Sequence, residues 1–156
     1  MRRFELFVHG RPAPGGSKTA FRDKDGKIIL APASKYTKNW RDSVVYAWVQ
    51  SEYYCEIPLD GPVRMEIVFY NLRPKSHYGT GRNEGILKKS APLYPHKRPD
   101  LTKLIRSTED ALTNYAYQDD AQIVLRSSAK VYGSEQGCKI IIEELQEHEK
   151  CTKITK

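Results

Sequence analysis

Five carboxylates fall between Lys97 and Val124, in KRPDLTKLIRSTEDALTNYAYQDDAQIV: Asp100, Glu109, Asp110, Asp119 and Asp120. The residues just upstream carry the opposite charge. From Arg73 to Arg106 nine Lys and Arg residues stand against two acidic ones, Glu84 and Asp100, a net +7 that equals the formal charge of the whole 156-residue chain. Grouped carboxylates suit a hard divalent cation, and such an ion can make a water nucleophilic near neutral pH and offset charge on a departing phosphate oxygen. Concentrated Lys and Arg neutralise a phosphate backbone. The chemistry this pairing suits is metal-assisted hydrolysis of nucleic acid.

Each acidic residue also has a plainer role. Asp100 follows Pro99 at a helix start, where a carboxylate can accept from the free N–H groups of the first turn. Arg106 and Glu109 lie one turn apart, the spacing of a surface ion pair worth roughly a few tenths of a kcal/mol. Adjacent aspartates before a strand, as at Asp119-Asp120, commonly make a turn. Their concentration in one short segment, at the mouth of a basic loop, favours the chemical reading.

The elements that must position these residues follow from periodicity. Leu101, Leu104, Ile105, Thr108 and Leu112 recur at helical spacing, which predicts a helix opening at Pro99-Asp100 and ending at Asn114. Thr102, Arg106, Glu109 and Thr113 form the neighbouring stripe. Phe4, Leu6 and Val8 alternate as a strand, as do Val63, Met65, Ile67 and Phe69, and further strands are expected over Gln122 to Tyr132 and Cys138 to Leu145. Asp25-Gly26 between TAFR and KIIL reads as a hairpin turn. Ser34 offers a cap for a helix from about Tyr36 to Tyr53, whose Trp40, Val44, Ala47 and Trp48 make a core stripe in preference to a base-stacking platform. The loop PAPGGSKTAF lacks the glycine spacing of a phosphate-binding P-loop, although Lys18 within it could touch a phosphate.

Between Arg73 and Arg98 the periodicity disappears into a basic stretch rich in Gly and Pro that also carries Tyr78 and Tyr94. Basic residues interleaved with aromatics suit DNA backbone and unpaired bases; a solvated insertion is the alternative. The fold expected is α/β (α+β), one mixed sheet of about four to five strands with two main helices. One domain spans 1–146, including the basic loop 73–98, and a polar tail occupies 147–156. The pI near 9.3 favours an acidic partner, nucleic acid before membrane. Lacking an apolar run long enough to span a bilayer and an apolar leader block, the sequence reads as soluble and cytoplasmic. Cys55, Cys138 and Cys151 suggest neither a disulfide framework nor a zinc site.

The run RPDLTKLIRSTEDALTNYAYQDDAQIV resembles the signature of the RusA-type Holliday junction resolvases: Asp-x-Asp-Asn-Leu, a Lys on the next turn, Asp-Ala-Leu, then Asp-Asp-x-Gln-Val. Fainter echoes are the amino-terminal strand followed by G-x-P-x-P, and Lys130 beyond the paired aspartates. Asp100 matches the first family aspartate and Asp120 the metal-binding one of the later pair, with Asp119 beside it; Asp110 matches the Asp of Asp-Ala-Leu. Arg106 falls where the family has lysine, and Thr102 where it has a second aspartate. The resemblance implies a homodimeric, Mg²⁺-dependent endonuclease (Mn²⁺ substituting), in a bacterial, phage or prophage context, which cuts symmetrically across four-way DNA junctions and leaves ligatable nicks.

On that reading the ion is held by Asp100, Asp119, Asp120 and Glu109. Glu109 replaces the missing carboxylate by leaning back toward the helix start, and Arg106 clamps the phosphate. Lys18, Arg73, Lys75, Lys88, Lys89, Lys97, Arg98, Lys103 and Lys130 are the expected DNA contacts. Two other readings stand beside it: a non-catalytic protein that binds branched DNA with a degraded metal site, and a nuclease for flaps or other branched DNA.

Overall fold

The computed structural model describes residues 2–16, 18–32, 34–54 and 57–146; the expected tail 147–156 lies outside them. Strand β1 (Arg3–His9) buries Phe4, Leu6 and Val8 and turns its alternate residues outward, as period-two patterning requires. It pairs antiparallel with β6 (Gly137–Glu144), which pairs antiparallel with β4 (Val63–Asn71); β4 then pairs in parallel with β5 (Ile123–Tyr132). The sheet is therefore mixed and four-stranded, ordered β1-β6-β4-β5. The hairpin strands β2 (Lys18–Arg22) and β3 (Ile28–Pro32) form a separate two-stranded sheet. Their turn is held by Asp23, whose Oδ1 accepts from the N–H groups of Asp25 (3.0 Å) and Lys27 (2.8 Å), with Gly26 at φ +80°.

Helices α1 (Thr37–Val49) and α2 (Leu101–Leu112) pack on each other over one face of the sheet. Trp40 and Trp48 are fully buried there with Val44, Leu104, Ile105 and Leu112 against the inward residues of β1, β4 and β6, so both tryptophans are core. The Trp40 indole donates to Thr108 Oγ1 at 3.1 Å, giving the buried N–H a partner. The opposite face meets water and carries ion pairs such as Lys139 to Glu5 at 2.6 Å.

Two local expectations are corrected. Helix α1 begins one residue later than expected and ends at Val49, and Ser34 does not cap it: Tyr36 is the N-cap residue and makes no side-chain cap bond. Ser34 instead shapes the approach, its hydroxyl accepting from the Tyr36 N–H at 3.3 Å. The basic stretch after β4 is also more ordered than its composition implies. It has short 3₁₀ turns at Lys75–His77 and Gly81–Asn83 and an internal bridge between Tyr78 and Leu87. Arg73 donates to the Pro92 carbonyl (2.9 Å) and lies 4.1 Å from the Tyr132 ring centroid, while Lys88 donates to the Ser76 carbonyl (3.0 Å).

The parallel β4–β5 pair matters most for the site. Parallel neighbours need a crossover. Here the crossover is the basic loop followed by α2, so α2 runs back alongside β5 in the opposite direction.

Candidate active site

Three contacts fix that antiparallel run. Lys130, near the end of β5, donates to the carbonyls of Lys97 (2.9 Å) and Pro99 (2.8 Å) just before α2 begins. Arg126, four residues and so about 13 Å earlier on β5, reaches Glu109 in the second half of α2, with Nη1 at 3.0 and 3.3 Å from its two carboxylate oxygens. Asp120 precedes β5 altogether, beyond the helix's other end. Twelve helical residues at 1.5 Å each separate the two ends of α2 by about 18 Å. Asp100 and Asp120 are therefore roughly 20 Å apart in one chain, too far to share an ion, since hard cations sit about 2.0–2.6 Å from their oxygen ligands. Among the described residues no three His, Cys, Asp or Glu side chains converge as a ligand group.

The two ends differ in what their carboxylates are doing. Asp100 is the N-cap residue of α2, yet its side chain makes no cap bond; it stands 55% exposed, with Lys103 Nζ at 3.3 Å. The structural role its position offers is therefore unused. Asp119 does carry out its plain role: its Oδ1 accepts from the Ala121 N–H at 2.7 Å, and Gln122 Oε1 accepts from the Asp119 N–H at 2.8 Å. That capping box starts a 3₁₀ turn and leaves Asp120 exposed beside it. Gln122 secures the turn further by donating to the carbonyls of Leu59 and Gly61.

Glu109 corrects one expectation. Its side chain does not lean toward the helix start; it is nearly buried and turned to β5, where Arg126 takes it. The pair is Glu109–Arg126, not Glu109–Arg106. Asp110 likewise pairs with Arg41 on α1. Tyr117 is buried between these groups and donates to the Glu109 carbonyl at 2.9 Å. Burial pushes its phenol pKa up, and the negative charges of Glu109, Asp120 and Asp110 push it the same way. Tyr117 is a neutral, fixed donor.

Arg106 lies exposed on α2, its side chain along the backbone of Gly16. The Gly15-Gly16 pair is a close-packing device: the Gly15 N–H donates to the Lys103 carbonyl at 2.8 Å, and a Cβ there would sit 3.0 Å from Ser107 Cα. The expected DNA contacts fall into two sets. Lys18, Lys75, Lys89, Lys97 and Arg98 are exposed, whereas Arg73, Lys88 and Lys130 hold the loop's own carbonyls and Lys103 pairs with Asp100. Sequence reasoning passed over Arg126 and Arg41, the partners of the two helix carboxylates. Arg126 could have been found, since even-numbered positions of β5 share a face with Lys130.

One exposed carboxylate at the start of a crossover helix and another in the turn that follows it, with an ordered basic loop leading in, suit a hydrolase acting on the nucleic-acid backbone. Over residues 10–143 the sequence matches the family described as Endodeoxyribonuclease RusA, and the chain belongs to that family. It is accordingly an endodeoxyribonuclease of the Holliday junction resolvase type. It is also similar to Uncharacterized protein YqaN of Bacillus subtilis (strain 168), 31% identical over 141 residues that cover 88% of this chain and 94% of that protein. No helix among the described residues is long and apolar enough to cross a membrane.

Proposed function

We propose that the domain spanning residues 1–146 works as a homodimer that uses Mg²⁺, or Mn²⁺ in its place, to cut four-way DNA junctions symmetrically. Each cutting site would be built from two copies, with Asp100 supplied by one and Asp120, with Asp119 beside it, by the other. The observation that supports this reading is the separation of two exposed carboxylates, Asp100 at the start of α2, which makes no cap bond, and Asp120 in the turn after the helix, where Asp119 does the capping. Their oxygen donors suit a hard cation. A two-fold axis that sets α2 against its copy in reverse brings one chain's Asp100 end to the other's Asp120 end.

A surface for such an axis exists. Strand β5 is ten residues long and, among the described residues, is paired on one side only, and its Val124 and Leu125 are more than half exposed. A long unpaired edge is a template for a second strand. Antiparallel pairing of β5 with its own copy reverses the two chains in the sense required, and a two-fold dimer presents paired sites to a two-fold junction.

The ion, when bound, would supply a nucleophilic water and charge relief on the departing oxygen. The chain's own groups do the remaining work. Arg106 clamps the phosphate through a guanidinium that stays protonated and so takes no part in proton transfer. Lys18, Lys75, Lys89, Lys97 and Arg98 hold the strands, and Glu109 keeps the Asp120 end rigid through Arg126 without ligating.

Cleavage of synthetic four-way junctions, flaps and duplexes with Mg²⁺ or Mn²⁺ tests the reading. Junctions should be cut in preference to the others. The Asp100→Asn variant should nick at least a hundredfold more slowly while binding the junction within about twofold of wild type; nicking at the normal rate would remove Asp100 from the site.

A further inference from the structure

Beside Asp100 lies a cleft of about 530 Å³ built from three segments far apart in sequence: the Arg11–Pro14 connection, the Ser34–Tyr36 approach to α1, and Arg98 to Lys103. Its walls are tied together. Thr37 Oγ1 donates to the Pro14 carbonyl at 2.7 Å, and the Gly15 N–H donates to the Lys103 carbonyl at 2.8 Å. Prolines line one side. On the other stands Tyr36, a residue 43% exposed, with the Arg11 guanidinium and the Lys35 ammonium over its ring, 5.3 Å and 5.1 Å from the centroid. Arg98 and Lys103 complete four cations around the single carboxylate of Asp100.

We propose that this cleft takes one unpaired nucleotide of the DNA next to the phosphate being cut, its base stacked on Tyr36, where it displaces the Arg11 and Lys35 side chains from over the ring so that they hold its backbone. A flat aromatic surface with apolar walls suits the face of a base, and stacking on it is sequence-tolerant because every base has such a face. The surplus of positive charge selects an anion, which a nucleotide is and an uncharged aromatic group is not. The floor supplies the position: Asp100 lines the same cleft, so the nucleotide seated there is a direct neighbour of the scissile phosphate. A base still paired and stacked in a duplex cannot reach Tyr36. The cleft therefore favours the crossover of a junction, where bases are most readily unstacked. The adjacency to the cut rests on the resolvase reading above; the stacking itself does not.

The test is fluorescence anisotropy with a labelled oligothymidylate and an abasic strand of the same length, against wild type and the Tyr36→Ala and Tyr36→Phe variants. Tyr36→Ala should bind oligothymidylate about tenfold more weakly, the lower part of the range for one base–aromatic stack. It should bind the abasic strand as wild type does, and Tyr36→Phe should match wild type on both. No loss on oligothymidylate, or an equal loss on both strands, overturns the cleft, the second because only phosphate would then be sensed. Junction cutting by wild type is read in parallel. Cutting without Tyr36-dependent binding removes the cleft and leaves the nuclease; Tyr36-dependent binding without cutting removes the nuclease and leaves the cleft.

Discussion

A carboxylate at a helix start normally accepts from the N–H groups of the first turn. Asp100 does not; among the described residues its ion-pair partner is Lys103, and the absence of the ordinary explanation is what makes it the best candidate ligand. Thr102 is exposed one residue into the same helix, where a carboxylate would stand beside that of Asp100. Thr102→Asp should therefore lower the Mg²⁺ concentration for half-maximal nicking by about tenfold, because a carboxylate is a much stronger ligand for a hard cation than a hydroxyl. Glu109→Gln should leave that concentration unchanged. Its effect should appear in thermal unfolding, as a loss of about 1–3 kcal/mol from a nearly buried acceptor of Arg126. A shifted Mg²⁺ requirement with unaltered stability would return Glu109 to the ligand set.

At the scale of elements, the β4–α2–β5 crossover decides where each carboxylate points, and Lys130 decides how α2 begins. Its ammonium satisfies two loop carbonyls on either side of Arg98, so it sets the path of the chain into Asp100. Lys130→Met should reduce nicking by about 10- to 100-fold, the size of effect expected when a reacting group is misplaced by about 1 Å, with junction affinity changed less than twofold. Equal losses in nicking and affinity would instead put Lys130 on the DNA. Much of this architecture could be read from the sequence, because Phe4, Leu6 and Val8, the Val63-to-Phe69 alternation, and the Leu101-to-Leu112 stripe state their burial through period alone. The partner of Glu109 could not be read that way. Residues 106 and 126 are both arginines within reach by spacing or by fold, and only the antiparallel run of α2 along β5 selects the second. The cleft at Tyr36 was hidden for a related reason, since its walls come from segments with no sequence proximity.

For the whole molecule, charge and symmetry act together. Arg98 and Lys103, from the stretch that carries net +7, stand with Arg11 and Lys35 at the Asp100 end of α2, while toward the other end Glu109 and Asp110 are each already neutralised by an arginine. One copy thus offers a basic end with one free carboxylate and a second end with another, some 20 Å away by helix geometry. In the proposed dimer, two copies joined in reverse would complete two sites, and one copy none.

The decisive measurement mixes inactive chains. Asp100→Asn and Asp120→Asn subunits are each tested alone, then refolded together in equal amounts and assayed on a four-way junction with Mg²⁺. In a mixed dimer, shared sites leave one site with both mutations and the other with neither. Nicking should therefore return to about a quarter of the wild-type site count when half the dimers are mixed. Continued inactivity of the mixture, with mixed dimers demonstrated to form, would place both carboxylates in a site belonging to a single chain and contradict the account.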